Sequence, residues 1–251
     1  MKVEASPYQF LSVPATPTRG NVTVFVTDAL RQAIVTLQLA PGELIDKGAI
    51  CDRLGVSRFP VSEALARLQA EGLVDILPQR GSTVSLVRIA DVLEYMLIRK
   101  ALEAEAVRVV TGNHSEELIE TLQRNMRYQR AAVEIDDRFG LHERDLEFHD
   151  IIFGDMRFSR VKAVIENTRA NLDRARRLIL TPRRLSVTLN EHQKILDGIV
   201  AGDAARAAQA MRAHIDSVMA ELIEFARGHA ELFADGDLLT ADPSYTAFPF
   251  G

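Results

Sequence analysis

Between Lys47 and Val87 the hydrophobic period switches from helical to alternating, and that switch constrains the fold more than any other feature of the chain. Helical phasing begins near Val24 and puts Val26, Leu30, Ala33, Ile34 and Leu37 on one face, until Ala40-Pro41-Gly42 turns the chain. Lys47 to Leu54 forms a second, short helix, and Gly55-Val56-Ser57 is a tight connection. Ser57 is a suitable N-cap for a third helix, with Pro60 in the first turn, where a missing N–H costs little. Val61, Ala64, Leu65 and Leu68 are its buried stripe, and Glu71-Gly72 stops it. Val74–Leu77 and Thr83–Val87 are then strand-like runs around Pro78-Gln79-Arg80-Gly81-Ser82, a hairpin. Helix, helix, turn, helix and hairpin in that order make a winged helix-turn-helix over residues 21–88.

From Ile89 only helical periods appear, over 89–112, 115–136, 138–155, 158–181, 184–201 and 203–229, with Pro182 and Gly202-Asp203 at two junctions. The expected fold is mainly α: an N-terminal winged helix-turn-helix followed by a C-terminal all-α antiparallel helical bundle. Residues 1–20, with three prolines, read as a mobile arm, and residues 230–251, rich in breakers, as a loosely docked tail. An apolar content of 47% with 26% charged residues is that of an ordinary globular chain. No apolar run approaches the roughly 18 residues of a membrane span. A single cysteine, Cys51, and no secretion signal fit a cytoplasmic protein.

The net charge of −5 argues against a general polyanion binder, but it is uneven. Residues 19–88 carry eight Lys/Arg against seven Asp/Glu, whereas residues 89–251 carry 21 against 27. Nucleic-acid contact must therefore come from a few placed cations in the first part. The third helix offers an outward set of Arg58, Phe59, Ser62, Glu63, Ala66 and Arg67. Arg58, in the first turn, suits a guanine edge or a phosphate, and Arg67, more than two turns on, suits the backbone. Arg80 and Gly81 at the hairpin tip are placed for the minor groove. With Ser57, the DNA-facing residues are Ser57, Arg58, Phe59, Ser62, Arg67, Arg80 and Gly81.

The series Leu39-Ala40-Pro41-Gly42-Glu43-Leu44-Ile45, Leu54-Gly55-Val56-Ser57-Arg58-Phe59-Pro60-Val61-Ser62-Glu63-Ala64-Leu65, Glu71-Gly72-Leu73-Val74 and Pro78-Gln79-Arg80-Gly81 closely resembles the DNA-binding domain of the GntR family of bacterial transcription regulators. The resemblance implies DNA contacts from Arg58, Arg67 and the wing around Gly81. Ser62 replaces the Arg of many members, which implies an operator different from the commonest family site. Phe59, often Thr in the family, packs either on a thymine methyl or against the wing.

In the helical half, polar residues interrupt apolar stripes. Asp145 and His149 lie four apart on the stripe Leu141, Asp145, Phe148, His149, Ile152, a spacing that lets both reach one ion. His192 lies on the stripe of Leu185, Leu189, Ile195 and Ile199, and His214 on that of Ala207, Met211, Val218 and Leu222. A carboxylate facing a core is costly unless paired or metal-bound. Three imidazoles and one carboxylate suit a divalent transition metal with room for a further ligand. A metal-free network of buried hydrogen bonds is the competing reading. Arg99 and Glu103, on the stripe of helix 89–112, are either a self-neutralising pair or an Arg99 that forks onto a ligand carboxylate while Glu103 holds it. Arg176 and Asn171, on helix 158–181, are further candidates for lining the cavity.

Arg99-x-x-Leu102-Glu103, Asp145-x-x-x-His149, Glu191-His192-x-x-Ile195-Leu196 and Met211-Arg212-Ala213-His214 resemble the FCD ligand-binding domain of the FadR subgroup of that family, over about residues 89–229. The resemblance implies that Asp145, His149, His192 and His214 bind a metal, zinc or nickel, which helps to hold a small organic acid near Arg99. The usual Asn-Pro pair opening the fourth helix is replaced by Met156-Arg157-Phe158. The expected protein is a cytoplasmic homodimeric regulator, a repressor of a pseudo-palindromic double-stranded operator, controlled by a small carboxylate effector, with no membrane partner. A direct metal sensor is the first rival. A metal-dependent hydrolase is the second, weakened because H-E-x-x-H is absent and Glu191 lies about 100° around the helix from His192, a poor place for a general base.

Overall fold

Val26, Leu30, Ala33 and Ile34 are fully buried, and they seat helix α1 (Arg19–Val35) against helix α3 (Arg58–Ala70). The computed structural model describes residues 8–11, 19–77, 79–155, 161, 164 and 169–241. The chain divides into two units, Met1–Val87 and Arg88–Gly251.

In the first unit, α2 (Lys47–Leu54) starts at Asp46, whose carboxylate accepts from the Gly48 and Ala49 amides, and ends at Gly55, in the left-handed region at φ 63°. Arg31 of α1 donates from Nε and Nη2 to the two carboxylate oxygens of Glu71, each at 2.7 Å, and so braces α1 against the end of α3. The wing is a three-stranded antiparallel sheet in the order β1 (Leu44–Ile45), β3 (Gly81–Val84), β2 (Val74–Leu77). Leu44 faces Thr83, and Leu77 faces Gly81. Strand β1 is absent from the sequence reading because two residues carry no alternation to detect. Strand β3 starts at Gly81, two residues before the expected Thr83 and within the expected turn, because the pairing of Leu77 with Gly81 shortens the hairpin loop.

The reading of residues 1–20 as a mobile arm needs correction at two places. Tyr8 and Leu11 are buried, the Asp46 amide donates to the Tyr8 hydroxyl at 2.7 Å, and Arg53 Nε donates to the Leu11 carbonyl. Arg19 and Gly20 already belong to α1.

The second unit holds α4 (Ile89–Gly112), α5 (Glu116–Glu134), α6 (Arg138–Asp155), α7 (Arg169–Leu178), α8 (Pro182–Val200) and α9 (Ala204–Gly228). Ser115, Thr181 and Asp203 cap α5, α8 and α9 with their side-chain oxygens. The helix expected over 158–181 is seen as α7, which ends three residues early because Thr181 serves as the cap of α8. Met156-Arg157-Phe158 lie outside the described residues. Helices α8 and α9 approach closely at Gly198, where a Cβ would fall 2.8 Å from the Ala207 backbone. That approach brings the faces carrying His192 and His214 together.

The expected loose tail is docked over residues 230–241, through a 3-10 turn (Ala230–Leu232) and α10 (Gly236–Ala241). Phe233 is buried, and the Asp235 carboxylate accepts from the Ile89 and Ala90 amides at 2.8 and 3.0 Å. It caps α4, whose own N-cap residue, Arg88, offers no side-chain hydrogen bond. No helix among the described residues is long and apolar enough to cross a membrane.

Candidate metal centre and candidate nucleic-acid interface

Asp145 and His149 on α6, His192 on α8 and His214 on α9 converge, each buried, with one potential ligand atom apiece all within 4.8 Å of one another. The Asp145 Oδ1 lies 3.5 Å from His192 Nε2 and 4.0 Å from His149 Nε2. Phe148 fixes the His192 ring by parallel stacking at 4.2 Å between centroids, 5° from coplanar. The α-helical spacing that puts Asp145 and His149 on one face therefore sets half of the cluster, and the close α8–α9 packing sets the rest.

Each histidine is held at its other ring nitrogen. His192 Nδ1 lies 2.9 Å from Gln129 Oε1, and Gln129 in turn donates to Asn125 Oδ1 at 2.7 Å. His214 Nδ1 lies 2.8 Å from Glu191 Oε2, an oxygen that also accepts from Arg184 Nη2 at 2.7 Å. His149 Nδ1 lies 2.5 Å from Glu103 Oε2, a close polar contact without the geometry of a hydrogen bond, while Glu103 Oε1 accepts from Arg99 Nε. The three Nε2 atoms and Asp145 Oδ1 are buried without a hydrogen-bond partner, whereas Asp145 Oδ2 is ion-paired with Arg176 Nη2. Buried polar atoms left unpaired are expensive. A site whose imidazoles are tied outward by carboxylate or amide and left open inward has the form of a metal centre with an oriented outer shell. The donor set, three imidazole nitrogens and one carboxylate, fits a divalent transition metal. Of the two readings open from sequence, a self-satisfied hydrogen-bond network is disfavoured by these orphaned atoms.

The electrostatics favour the ligating forms. Burial, reinforced by neighbouring His214, holds His192 well below the usual imidazole range; burial and neighbouring His149 do the same to His214. Burial opposes ionisation of Asp145, but the Arg176 guanidinium beside it outweighs burial and holds its carboxyl well below the usual range. For histidines with depressed values the unfolded chain binds more protons than the folded one, so stability rises with pH across that window. It is complete above the ordinary imidazole value of about 6.5 and declines as pH falls below it. Metal-loaded protein should hold its ion at pH 7.5 and lose it, with a falling thermal midpoint, towards pH 5.5; an affinity and midpoint unchanged between these values would contradict the assignment.

The candidate effector residues are placed unevenly. Arg99 is buried and engaged with Glu103 on the His149 side of the cluster. Arg176 is buried beside Asp145, its Nη2 at 2.5 Å from Asp145 Oδ2 and its Nη1 without a hydrogen-bond partner. A small cavity of about 20 Å³, room for one water, is lined by Asp145, Arg176, Arg184 and Thr188. Asn171 lies on α7, and its side chain falls outside the described residues. Gln129, Glu191 and Arg184 were not singled out as part of the site by sequence. Glu191 leaves the His192 stripe as expected, and its partner is His214 on the neighbouring helix.

In the winged unit, Ser57, Arg58, Phe59 and Arg67 are exposed at or on α3, Ser62 is half-buried, and Arg80 and Gly81 are exposed at the β2–β3 turn. Ser57 is the N-cap residue of α3, as expected, with extended backbone at the helix start, but its side chain makes no capping bond. Phe59 is 74% exposed, so it does not pack against the wing. Arg67 is paired with Glu63 at 2.6 Å, one turn back on the exposed face. Such a surface pair contributes about 0.3–0.5 kcal/mol and yields readily to a phosphate.

Residues 23–84 match the family described as bacterial regulatory proteins, gntR family, and residues 94–217 match the FCD domain. The chain is 36% identical over 211 residues to an HTH-type transcriptional regulator in an unstable DNA locus of Streptomyces ambofaciens, covering 82% of this chain and 86% of that protein. It is 30% identical over 213 residues to the HTH-type transcriptional repressor RspR of Escherichia coli K12, covering 82% and 91%. A putative GntR transcriptional regulator from Rhodococcus sp. RHA1 shares the fold, with a TM-score of 0.70 at 21% identity over 81% of this chain and 98% of that one.

Proposed function

The chain belongs to the GntR family of bacterial regulatory proteins and carries an FCD domain, so it is a transcriptional regulator related to regulators and not to enzymes, and on that footing we propose that it is a dimeric repressor whose hold on a pseudo-palindromic operator is set by a small carboxylate bound at a metal site. The observation that carries this reading is the convergence of three unpartnered, buried Nε2 atoms on Asp145. The E. coli relative RspR is a transcriptional repressor, which supports the choice of repressor over activator. A regulator of bacterial DNA acts in the cytoplasm.

Asp145, His149, His192 and His214 would hold zinc or nickel, and the ion would supply a Lewis-acidic anchor for a carboxylate oxygen. Gln129, Glu191 and Glu103 fix which ring nitrogen faces inward. Arg176, beside Asp145, and Arg99, beside Glu103, supply guanidinium groups for the effector. An effector acts only through different affinities for two states of the helical unit, one of which favours operator binding. The test is a thermal-shift panel of sugar acids, hydroxy acids and dicarboxylates on metal-loaded and chelator-stripped protein. An acid that raises the midpoint only in the loaded form supports the reading, and no acid doing so sinks it. The small cavity favours one second reading, the ion itself as signal, which predicts metal-dependent operator binding with no acid present.

On the DNA side, Ser57, Arg58, Phe59 and Ser62 would face base edges and phosphates, Arg67 the backbone, and Arg80 with Gly81 the minor groove. Arg58→Ala should remove most of the preference for operator over random DNA, a discrimination of about 1–3 kcal/mol for a bidentate base contact. Arg67→Ala should weaken all sequences alike and flatten the salt dependence by about one phosphate contact. Binding titrations at several salt concentrations separate the two; an Arg58→Ala variant with intact operator preference would show that α3 is not the reading helix.

A further inference from the structure

Arg58 opens α3 and Phe59 follows it in the first turn. At about 100° per residue, Phe59 points about 180° away from Leu68 in the buried stripe, and it shares its direction to within about 20° with exposed Ala66, two turns on. Arg58 lies about 100° to one side of that crest and Arg67 about 80° to the other. Among the described residues of α3, Val61, Leu65 and Leu68 are large apolar side chains that are buried, and Phe59 is the one that is exposed. Its neighbours on the crest leave it prominent. Ser62 and Ala66 are short, and Glu63 is held aside, its two carboxylate oxygens accepting from Arg67 Nη2 at 2.6 Å and from Thr23 Oγ1 at 3.4 Å. The outward crest of α3 is thus an aromatic ring with an arginine on either flank.

A phenyl ring neither donates to nor accepts from the polar edges of the bases. Pressed onto a purine N7, a guanine O6 or an amino group, it would strip water from that group and give nothing in return. The apolar group that the floor of the major groove does offer is the 5-methyl of thymine. Resting on the reading of α3 as the helix that enters the major groove, we infer that each half-site of the operator places a thymine under Phe59, recognised through its 5-methyl group by apolar burial and not by a hydrogen bond. Arg58 and Arg67, pointing to opposite flanks, serve the bases and phosphates on either side of that thymine. The middle of each half-site is therefore selected by a single methyl group.

Deoxyuridine tests this directly, because it pairs with adenine as thymidine does and lacks only the 5-methyl group. Duplexes are selected from a random-sequence library with the full-length protein, and each thymine of the enriched sequence is then replaced singly by deoxyuridine. At one position per half-site, replacement should weaken binding by about three- to five-fold, the worth of one buried methyl group. Phe59→Ala takes away an exposed ring and leaves Val61, Ala64, Leu65 and Leu68 in place, so the variant keeps its fold. It should bind the enriched duplex more weakly and bind the thymine and uracil forms alike. Wild-type affinity that ignores every replacement overturns the inference, as does an enriched sequence with no fixed thymine. A methyl dependence that persists in Phe59→Ala assigns the methyl to another side chain and overturns the role of Phe59. Those outcomes leave α3 as the reading helix, which Arg58→Ala tests separately. Selection that enriches no sequence removes that reading, and this inference with it.

Discussion

Removing the ion from Asp145, His149, His192 and His214 should lower the thermal midpoint of the helical unit by about 10 °C. A ligand present at a hundred- to a thousand-fold above its dissociation constant stabilises the folded state by about 3–4 kcal/mol. For a unit of this size each kcal/mol moves the midpoint by about 2–4 °C. The four candidate ligand residues sit on three helices, so an ion held there would tie α6, α8 and α9 into one cooperative block, and without it three imidazole nitrogens and Asp145 Oδ1 have no hydrogen-bond partner. Calorimetry of loaded and chelator-dialysed protein would show the shift in the transition of the helical unit and leave that of the winged unit in place. A shift below about 2 °C would mean that the cluster does not hold an ion tightly.

The second large effect concerns Glu103, which no single-helix argument identifies as more than the partner of Arg99. It is fully buried and bridges Arg99 to His149. Burial opposes its ionisation, but Arg99 and His149 outweigh burial and hold its carboxyl far below the usual range, so it stays charged. Glu103→Ala leaves the Arg99 guanidinium buried without its partner, a loss of about 3–5 kcal/mol in stability. It also frees the ring of His149, which should weaken metal binding by about ten- to a hundred-fold. The double variant Arg99→Met, Glu103→Leu separates the two roles. It restores most of the stability by removing both charges, and metal affinity stays low because His149 still lacks its anchor. Recovery of full metal affinity in the double variant would show that Glu103 serves only to neutralise Arg99.

The contrast between these two predictions marks how much of the site could be read from the sequence. Asp145, His149, His192 and His214 stand out because each breaks an apolar stripe on its own helix, and local periodicity is enough to find them. Gln129, Glu191 and Arg184 give no such signal: their role lies in which neighbouring helix they face, and that is decided by packing such as the α8–α9 approach at Gly198. The fold shows the same division. The order α2, α3, β2, β3 follows from period and turn chemistry, whereas β1 exists only because residues 44–45 meet β3 across the sheet. The docking of Tyr8 on Asp46 and of Leu11 on Arg53 is of the same kind, long-range bonds on a segment whose own composition suggests none.

The capping of α4 by Asp235 sets an order in time as well as in space. The described strands and helices of the winged unit all lie before Arg88, so they can pair with one another once those residues have left the ribosome. The first turn of α4 has to wait for an acceptor 146 residues further on, at Asp235. During translation, therefore, the part that would touch DNA can be finished while the part that would sense a ligand is still open at the start of its first helix.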